Sequence, residues 1–389
     1  MPEYEELKTF LEIKKKEIQR EIKEIVQMDS PTFPSVGTNQ IINYFSKKFT
    51  SLGIKNKRLK GTKGTGEHLL ATVKGKEKNK NKILLIGHCD TVFPLQTSEQ
   101  RPFQVRGETA YGPGVADMKS SLITCFHVIE FLQKNYLEKI GEIQVLFNSD
   151  EERGNPSSRT IIEKLAKNIS AGLIIEPARA DGSIVSSRKG SIIGKLEIRG
   201  IAAHSGVEPE KGASAIYEIT RKITEIAKLK IQNGNVNVTG LMGGERPHIV
   251  AEKAECLIEL RASEQITLNK TNKRIKEIVT NKTFIPKTKS TYKIIGQRPA
   301  MELNERTSAL LKITEKIYKK ARMKFSHTST GGGSDGNYLS AMGIPVLDGL
   351  GPIGGNLHTE LEFSKLESIP RRGAILGALI LQISSSSEI

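Results

Sequence analysis

The chain contains no tryptophan, and aromatic residues make up only 5% of its 389 positions. Proteins that grip single-stranded nucleic acid need such rings at intervals as stacking platforms, so that class of function is disfavoured at once. Cysteine is scarce as well: Cys89, Cys125 and Cys256 are odd in number and share no metal-ligand spacing, which argues against a disulfide framework. No apolar run approaches the roughly 18 residues of a membrane span. The N-terminus, Met1-Pro2-Glu3-Tyr4-Glu5-Glu6-Leu7, is charged and amphipathic, without the apolar stretch and small-residue cleavage site of a secretory signal. These features suggest a cytoplasmic location and no membrane partner. Internal repeats and low-complexity segments are lacking too.

What remains is an ordinary globular composition, 37% hydrophobic and 26% charged, in a chain long enough for two domains with substantial cores. The net charge of +16 raises the question of a nucleic-acid partner. The lysines, however, are spread along the chain, and the densest run, Lys74 to Lys82, sits in a turn with Gly75. A lysine-rich surface is the simpler reading, with no nucleic-acid partner, and its positive field favours a small acidic substrate.

The first ~55 residues read as two helices separated by the breaker Ser30-Pro31-Thr32-Phe33-Pro34. Short β-rich runs then alternate with helical patterns: strands at His68–Val73, Ile83–Gly87, Ile143–Phe147 and Gly172–Ile175, with helices after Asp117 and Ser157. That alternation predicts an α/β fold with a doubly wound, mostly parallel sheet. The pattern changes near Ser191. Ile192–Arg199, Ala213–Leu229, Val236–Leu241, Ile249–Leu260, Leu268–Val279 and Tyr292–Ile295 follow the order strand, helix, strand, strand, helix, strand. This is the ferredoxin-like βαββαβ unit. It predicts an inserted domain over residues 191–297, with residues 1–190 and 298–389 forming the other domain.

Chemistry-bearing residues stand where strands end. Lys82-Ile83-Leu84-Leu85-Ile86-Gly87 runs into His88-Cys89-Asp90; Asp117, Glu151-Glu152, Glu176 and His358 follow downstream, each after an apolar run or opening the loop beyond one. In an open α/β sheet the carboxyl ends of the strands converge on one crevice, and imidazoles with carboxylates there suit a divalent metal such as zinc. Strand alternation turns Cys89 away from its neighbours and points Asp90 the same way as His88, where its carboxylate suits orienting the imidazole through the second ring nitrogen. The loop Thr330-Gly331-Gly332-Gly333-Ser334-Asp335-Gly336 lacks the Lys-Ser/Thr of a P-loop and the G-x-G-x-x-G spacing, so it is not a phosphate cradle. His68, His127 and His327 lie outside these motifs and read as structural.

Three stretches carry a resemblance: His88-Cys89-Asp90-Thr91-Val92-Phe93-Pro94, Ala110-Tyr111-Gly112-Pro113-Gly114-Val115-Ala116-Asp117-Met118-Lys119, and Asp150-Glu151-Glu152. They resemble the two-zinc exopeptidases of the glutamate carboxypeptidase family, which also holds acetylornithine deacetylase, succinyl-diaminopimelate desuccinylase and aminoacylase. Tyr111-Gly112-Pro113-Gly114 looks most like the glutamate carboxypeptidase branch. The resemblance implies one zinc on His88, Asp117 and Glu176 and a second on Asp117, Glu152 and His358, with cobalt or manganese as possible substitutes. Asp117 would bridge the two and be joined to Met118 by a cis peptide bond. Glu151 would be the general base. His204 matches a lid histidine that serves the partner subunit's site, which implies a homodimer through the inserted lid domain. Arg261 matches an arginine that clamps a substrate carboxylate, and Gly332 and Gly333 a substrate-facing turn. His248 stands where the family commonly has Asn; both can donate a hydrogen bond, but shape and charge differ, so side-chain specificity is affected more than hydrolysis. Asn155-Pro156 also departs from the family's pattern. The implied reaction is metal-dependent release of a C-terminal amino acid from a peptide. Removal of the acyl group from an N-acyl amino acid is the first alternative, and a metal-binding pseudoenzyme a further one.

Overall fold

The computed structural model describes residues 1–62, 64–76 and 81–386. Residues 77–80, the middle of the lysine-rich run, lie outside the described residues. The chain divides into two compact units. One comprises Met1–Ser186, Leu303–Ser329 and Ser334–Ile389; the other comprises Ser187–Glu302 and Thr330–Gly333.

The first unit is built on a six-stranded sheet in the order Lys55–Leu59, His68–Lys74, Glu142–Asn148, Lys82–His88, Ala171–Ile174, Val346–Leu347. Lys82–His88 runs parallel to both neighbours and is buried from Ile83 onward, which explains its unbroken apolar sequence. Val346–Leu347 extends the parallel part, and the two strands at the opposite edge are antiparallel. Helices pack against the sheet through rings. Phe45 and Phe49, one turn apart on Val36–Ser51, meet Phe147 of the sheet at 4.9 and 6.1 Å and Phe126 of helix Ser120–Asn135 at 6.4 and 5.3 Å between centroids. Cys89 is fully buried in the same core.

The N-terminal segment holds three helices rather than two: Pro2–Ile13, Lys15–Val26 and Val36–Ser51. The unforeseen break falls at Lys14, where no glycine or proline marks it and where the apolar period Leu7, Leu11, Ile18, Ile22, Ile25 continues through. A tertiary bond accompanies the break, since the Lys14 ammonium reaches Glu130 at 3.0 Å. A small antiparallel sheet of Gly354–Gly355, Phe363–Lys365, Thr109–Tyr111 and Gln104–Arg106 also went unread, its strands being too short to show a period. Among the described residues no helix is long and apolar enough to cross a membrane.

The second unit runs Gly190–Arg199, Ala215–Ala227, Gly234–Gly243, Lys253–Ala262, Gln265–Asn281, Lys289–Arg298, a βαββαβ succession. Its antiparallel sheet has the order Gly234–Gly243, Lys253–Ala262, Gly190–Arg199, Lys289–Arg298, the ferredoxin-like arrangement. Leu196 and Ile198 face Ile219, Ile226 and Ile275 in its core. Gly194 is needed there, because an added Cβ would lie 2.1 Å from the Tyr292 ring. The third strand starts at Lys253, not Ile249, since Ile249 and Val250 pair instead with the His204 loop: His204 bridges Ile249, and the Val250 N–H donates to the Ala203 carbonyl at 2.9 Å. Lys222 and Glu218 form a fully buried ion pair at 3.0 Å.

Candidate active site

Three parallel strands end side by side, and the chain turns polar beyond each end. Lys82–His88 terminates in His88, Glu142–Asn148 leads to the single helical turn Glu151–Arg153, and Ala171–Ile174 leads to Glu176. Asp117 arrives from the bent segment Val115–Lys119, whose bond to Met118 is cis. His358 comes from a loop in the left-handed region, at φ +62. His88 Nε2 lies 3.0 Å from Asp117 Oδ1 and 3.5 Å from Glu176 Oε1. His358 Nε2 lies 3.1 Å from Asp117 Oδ2 and 3.5 Å from Glu152 Oε2. Two sets of three ligand-type side chains result, His88–Asp117–Glu176 and Asp117–Glu152–His358, each with its donor atoms within 4.8 Å of one another. Asp117 belongs to both, one oxygen to each.

The charges in this cluster strain against each other. Burial alone would lower the basicity of His88, but hydrogen bonds to Asp117, Asp90 and Glu176 outweigh it and hold the imidazole well above its usual range. Bonds to Asp117 and Glu152 push His358 up to about 10. Burial, with the neighbouring Asp117 and Glu151 charges, pushes Glu152 up to about 8. Asp117 is buried too, yet the two imidazoles hold it below the normal carboxylate range. The cluster thus gathers protons that divalent cations displace on binding. Glu152 Oε1 is buried without a hydrogen-bond partner among the described residues, a lone pair that costs free energy unless something positive meets it. Both observations fit a pair of divalent cations.

Asp90 does more than face His88. His88 Nδ1 lies 2.9 Å from the Asp90 backbone carbonyl and 3.5 Å from its carboxylate. The carboxylate also accepts the Glu151 and Glu152 N–H groups, both at 3.1 Å, and the Thr32 hydroxyl at 2.7 Å. It therefore fixes the turn carrying the two glutamates while also standing beside the His88 ring, whose Nδ1 the Asp90 carbonyl meets as well. Glu151 lies in neither ligand set. The unusual Asn155 stands at φ +58 and donates to Ser158 Oγ and Asp335, at 2.9 and 2.7 Å, so the departure there is absorbed by a local polar network.

Glu362 escaped the sequence reading. Its buried carboxylate accepts the N–H groups of Gly114, Ala116 and Asp117. Burial and the Asp117 charge push it up to about 7, against the pull of those three donors. A third ligand-like group, Glu17–Glu21–His127, has the right spacing for a metal. Yet His127 sits between Glu21 at 2.8 Å and Glu130 at 3.0 Å, and Lys48 and Lys14 pair with those same carboxylates. Lysines already supply the positive charge, and this is an ion-pair network. His68 and His327 bond to Ser157 and Ser186, at 2.9 and 2.8 Å.

The sequence profile of peptidase family M20/M25/M40 matches residues 84–382. The chain belongs to this family. It is a metal-dependent hydrolase. Carboxypeptidase G2 of Pseudomonas sp. (strain RS-16) is 28% identical over 370 residues, covering 94% of this chain and 88% of the relative. Succinyl-diaminopimelate desuccinylase of Dechloromonas aromatica is 27% identical over 326 residues, covering 78% and 84%. Among solved structures, aminopeptidase PepT of Bacillus cereus superposes with a TM-score of 0.78 at 22% identity, covering 95% of this chain and 99% of that one. A dinuclear metal-binding M20 peptidase of Bacillus subtilis superposes at 0.72 and 16% identity, covering 96% and 99%. The fold is thus shared with solved M20-family structures over nearly the whole chain.

The remaining residues singled out in this M20-family chain lie in the second unit. His204 and His248 are exposed, with ring centroids 6.3 Å apart. The Ser205 N–H donates to the His248 carbonyl at 3.0 Å, holding their two loops together. Arg261 pairs with Glu259 at 2.7 Å and donates to the Gly331 carbonyl at 2.8 Å, so its guanidinium is already engaged. Arg188 donates to the Gly332 and Gly333 carbonyls, at 3.1 and 3.4 Å. A Cβ on Gly333 would lie 2.4 Å from Arg298 Cδ. Three arginines thus surround the glycine loop, and Arg188 and Arg298 had no distinguishing mark in the sequence.

Proposed function

We propose that the chain is a zinc-dependent carboxypeptidase that releases a C-terminal amino acid of glutamate type. The observation that carries this reading is Asp117, whose two oxygens each face one histidine in two separate ligand sets. His88, Asp117 and Glu176 would hold one ion and Asp117, Glu152 and His358 the other. Cobalt or manganese could replace zinc. Such ions, when bound, polarise the scissile carbonyl and make water a better nucleophile. Glu151, outside both sets, takes a proton from the attacking water and later returns it to the leaving amine nitrogen. Asp90 keeps Glu151 aimed through its backbone bond.

Arg188, Arg261 and Arg298 around the glycine loop support a substrate with a free α-carboxylate, bound at Gly332 and Gly333. His204 is assigned to the scissile carbonyl oxygen of the partner's substrate, and His248 to the substrate side chain. The first unit is then the catalytic domain and the second the lid. The edge strand Gly234–Gly243, with Leu241 and Met242 exposed, and Tyr217 exposed on the neighbouring helix, support homodimer formation through the lid. His248 in place of the family's common Asn favours a second reading, an N-acyl-amino-acid deacylase with the same α-carboxylate anchor. A cytoplasmic location suits either.

The test is a hydrolysis screen on chelator-treated protein reloaded with zinc or cobalt. Dipeptides ending in glutamate and N-acyl amino acids are each paired with their C-terminal amides. Free-carboxylate peptides should be cleaved, and their amides at least ~10²-fold more slowly. Cleavage of N-acyl amino acids alone would select the deacylase; indifference to the carboxylate would sink both.

A further inference from the structure

We propose that Glu362 is the positioning residue that locks Asp117 and His358 to each other, so that one buried carboxylate sets the geometry of the ligand set Asp117–Glu152–His358. The inference rests on the two-metal reading above. Glu362 Oε1 accepts the N–H groups of Ala116 at 2.8 Å and Asp117 at 2.9 Å, and Oε2 accepts that of Gly114 at 3.0 Å. Those donors lie on the segment that leaves helical geometry at Asp117 and Met118. The backbone there turns three N–H groups toward one point, and the two oxygens of a single carboxyl group satisfy all three.

The other half of the lock is in the His358 loop. His358 and its successors Thr359, Glu360 and Leu361 are exposed, and Asn356 and His358 both lie at positive φ. Local bonds between residues three apart hold the loop to itself: Thr359 N–H to the Asn356 carbonyl at 3.2 Å, and Glu362 N–H to the Thr359 carbonyl at 3.3 Å. From Asn356 to Glu362 only Glu362 is buried, at 1% exposure. It is followed at once by Phe363–Lys365, paired with Thr109–Tyr111, which brings the two loops alongside. Asp117 is thus fixed through its own N–H and His358 through the turn that ends in Glu362. Loss of the carboxylate frees both ligands at once.

The conservative substitution Glu362→Gln is the sharpest probe. An amide has one oxygen, so either Gly114 N–H or the Ala116 and Asp117 N–H pair would face an NH₂ group instead of an acceptor. Outer-shell partners of this kind typically govern metal affinity by 10–100-fold. Chelator-treated full-length protein is titrated with Co²⁺ in competition with a chromophoric chelator, and the visible cobalt spectrum is recorded alongside the melting temperature of the metal-free form. Wild type should take two ions. E362Q should bind one of them about 10–100-fold more weakly, with an altered cobalt spectrum and a smaller loss for the other ion. Glu362→Asp, which restores the charge on a shorter arm, should fall between the two.

Wild-type affinity for both ions in E362Q would overturn the proposal, as would equal weakening of both ions accompanied by a matching fall in metal-free melting temperature, the mark of a general structural defect. Failure of the wild type to bind two ions would overturn the two-metal reading itself and this inference with it, a distinguishable result. If neither variant folds, hydrogen exchange of the wild type decides. The amides of 114, 116 and 117 should be protected as a group without metal, and rapid exchange there would overturn the assignment.

Discussion

Glu151→Gln separates proton transfer from metal holding. The replacement is nearly isosteric, and the bond that fixes the turn, Glu151 N–H to Asp90 at 3.1 Å, is a backbone bond that the change leaves alone. Glu151 contributes to neither ligand set, so both ions should remain. What is lost is a group able to accept a proton. A positioned acid/base contributes about 10²–10⁴-fold to rate, which at about 1.4 kcal/mol per tenfold corresponds to roughly 3–5.5 kcal/mol of barrier. The loss should fall on kcat, with KM little changed, because Glu151 is assigned no contact with the ground-state substrate. Steady-state kinetics on the best substrate from the hydrolysis screen, together with elemental analysis of metal per chain, measures both. Retention of more than a tenth of wild-type kcat would remove Glu151 from the chemistry. Loss of one ion together with activity would make it a ligand.

Mixing Glu151→Gln chains with His204→Ala chains should restore about a quarter of wild-type activity, since half of randomly formed dimers would carry one complete site of two; no recovery despite demonstrated heterodimers would put His204 in its own subunit's site or outside catalysis. Lys222→Met should destabilise the second unit by about 3–5 kcal/mol, because it strands the buried Glu218 charge and strips the bonds that Lys222 gives to the Ile278, Val279 and Lys282 carbonyls; a loss below about 1 kcal/mol in urea unfolding would mean the pair is dispensable. For His127, burial works against the charged form but bonds to Glu130 and Glu21 raise its pKa, while the same bonds, with Lys14, Lys48 and Lys134, lower those of the two glutamates despite burial. The histidine's share of stability is complete below about 6.5 and lost as pH rises through its raised value; the glutamates' share is complete above about 4.5 and lost on acidification. The stability difference between wild type and His127→Leu should therefore peak between those limits, and a difference that stays flat from pH 5 to 9 would refute this account.

His88 and Glu176, both readable in the sequence, share a property: each is a ligand-type side chain at or just past the end of an apolar strand. His88 closes Lys82–His88, and Glu176 follows Ala171–Ile174 by two residues, so strand periodicity alone places them at one sheet edge. Glu362 has no such marker. It works by collecting backbone N–H groups from a segment more than 240 positions away, a partnership that appears only once Thr109–Tyr111 and Phe363–Lys365 have paired. The same limit hid half of the surroundings of Asp90, because side-chain type points only to His88 whereas the turn at Glu151 adds two backbone donors. The helix break at Lys14 was hidden by an apolar repeat that runs straight through it. The second unit was the most legible part, since its strands and helices are each ten or more residues long and carry a clear period.

One consequence of the chain's path concerns how the second unit can be excised or exchanged. Thr330–Gly333 belongs to the second unit although the residues on either side of it belong to the first. Cutting out the contiguous stretch Ser187–Glu302 would leave those four residues behind, and with them the carbonyls that Arg188 and Arg261 hold. A transplanted second unit would carry its arginines without their glycine loop. Exchange of this unit between family members by recombination therefore has to move two separate gene segments together, and a single crossover pair that spares the second segment is expected to yield a folded hybrid with a misassembled arginine–glycine cluster.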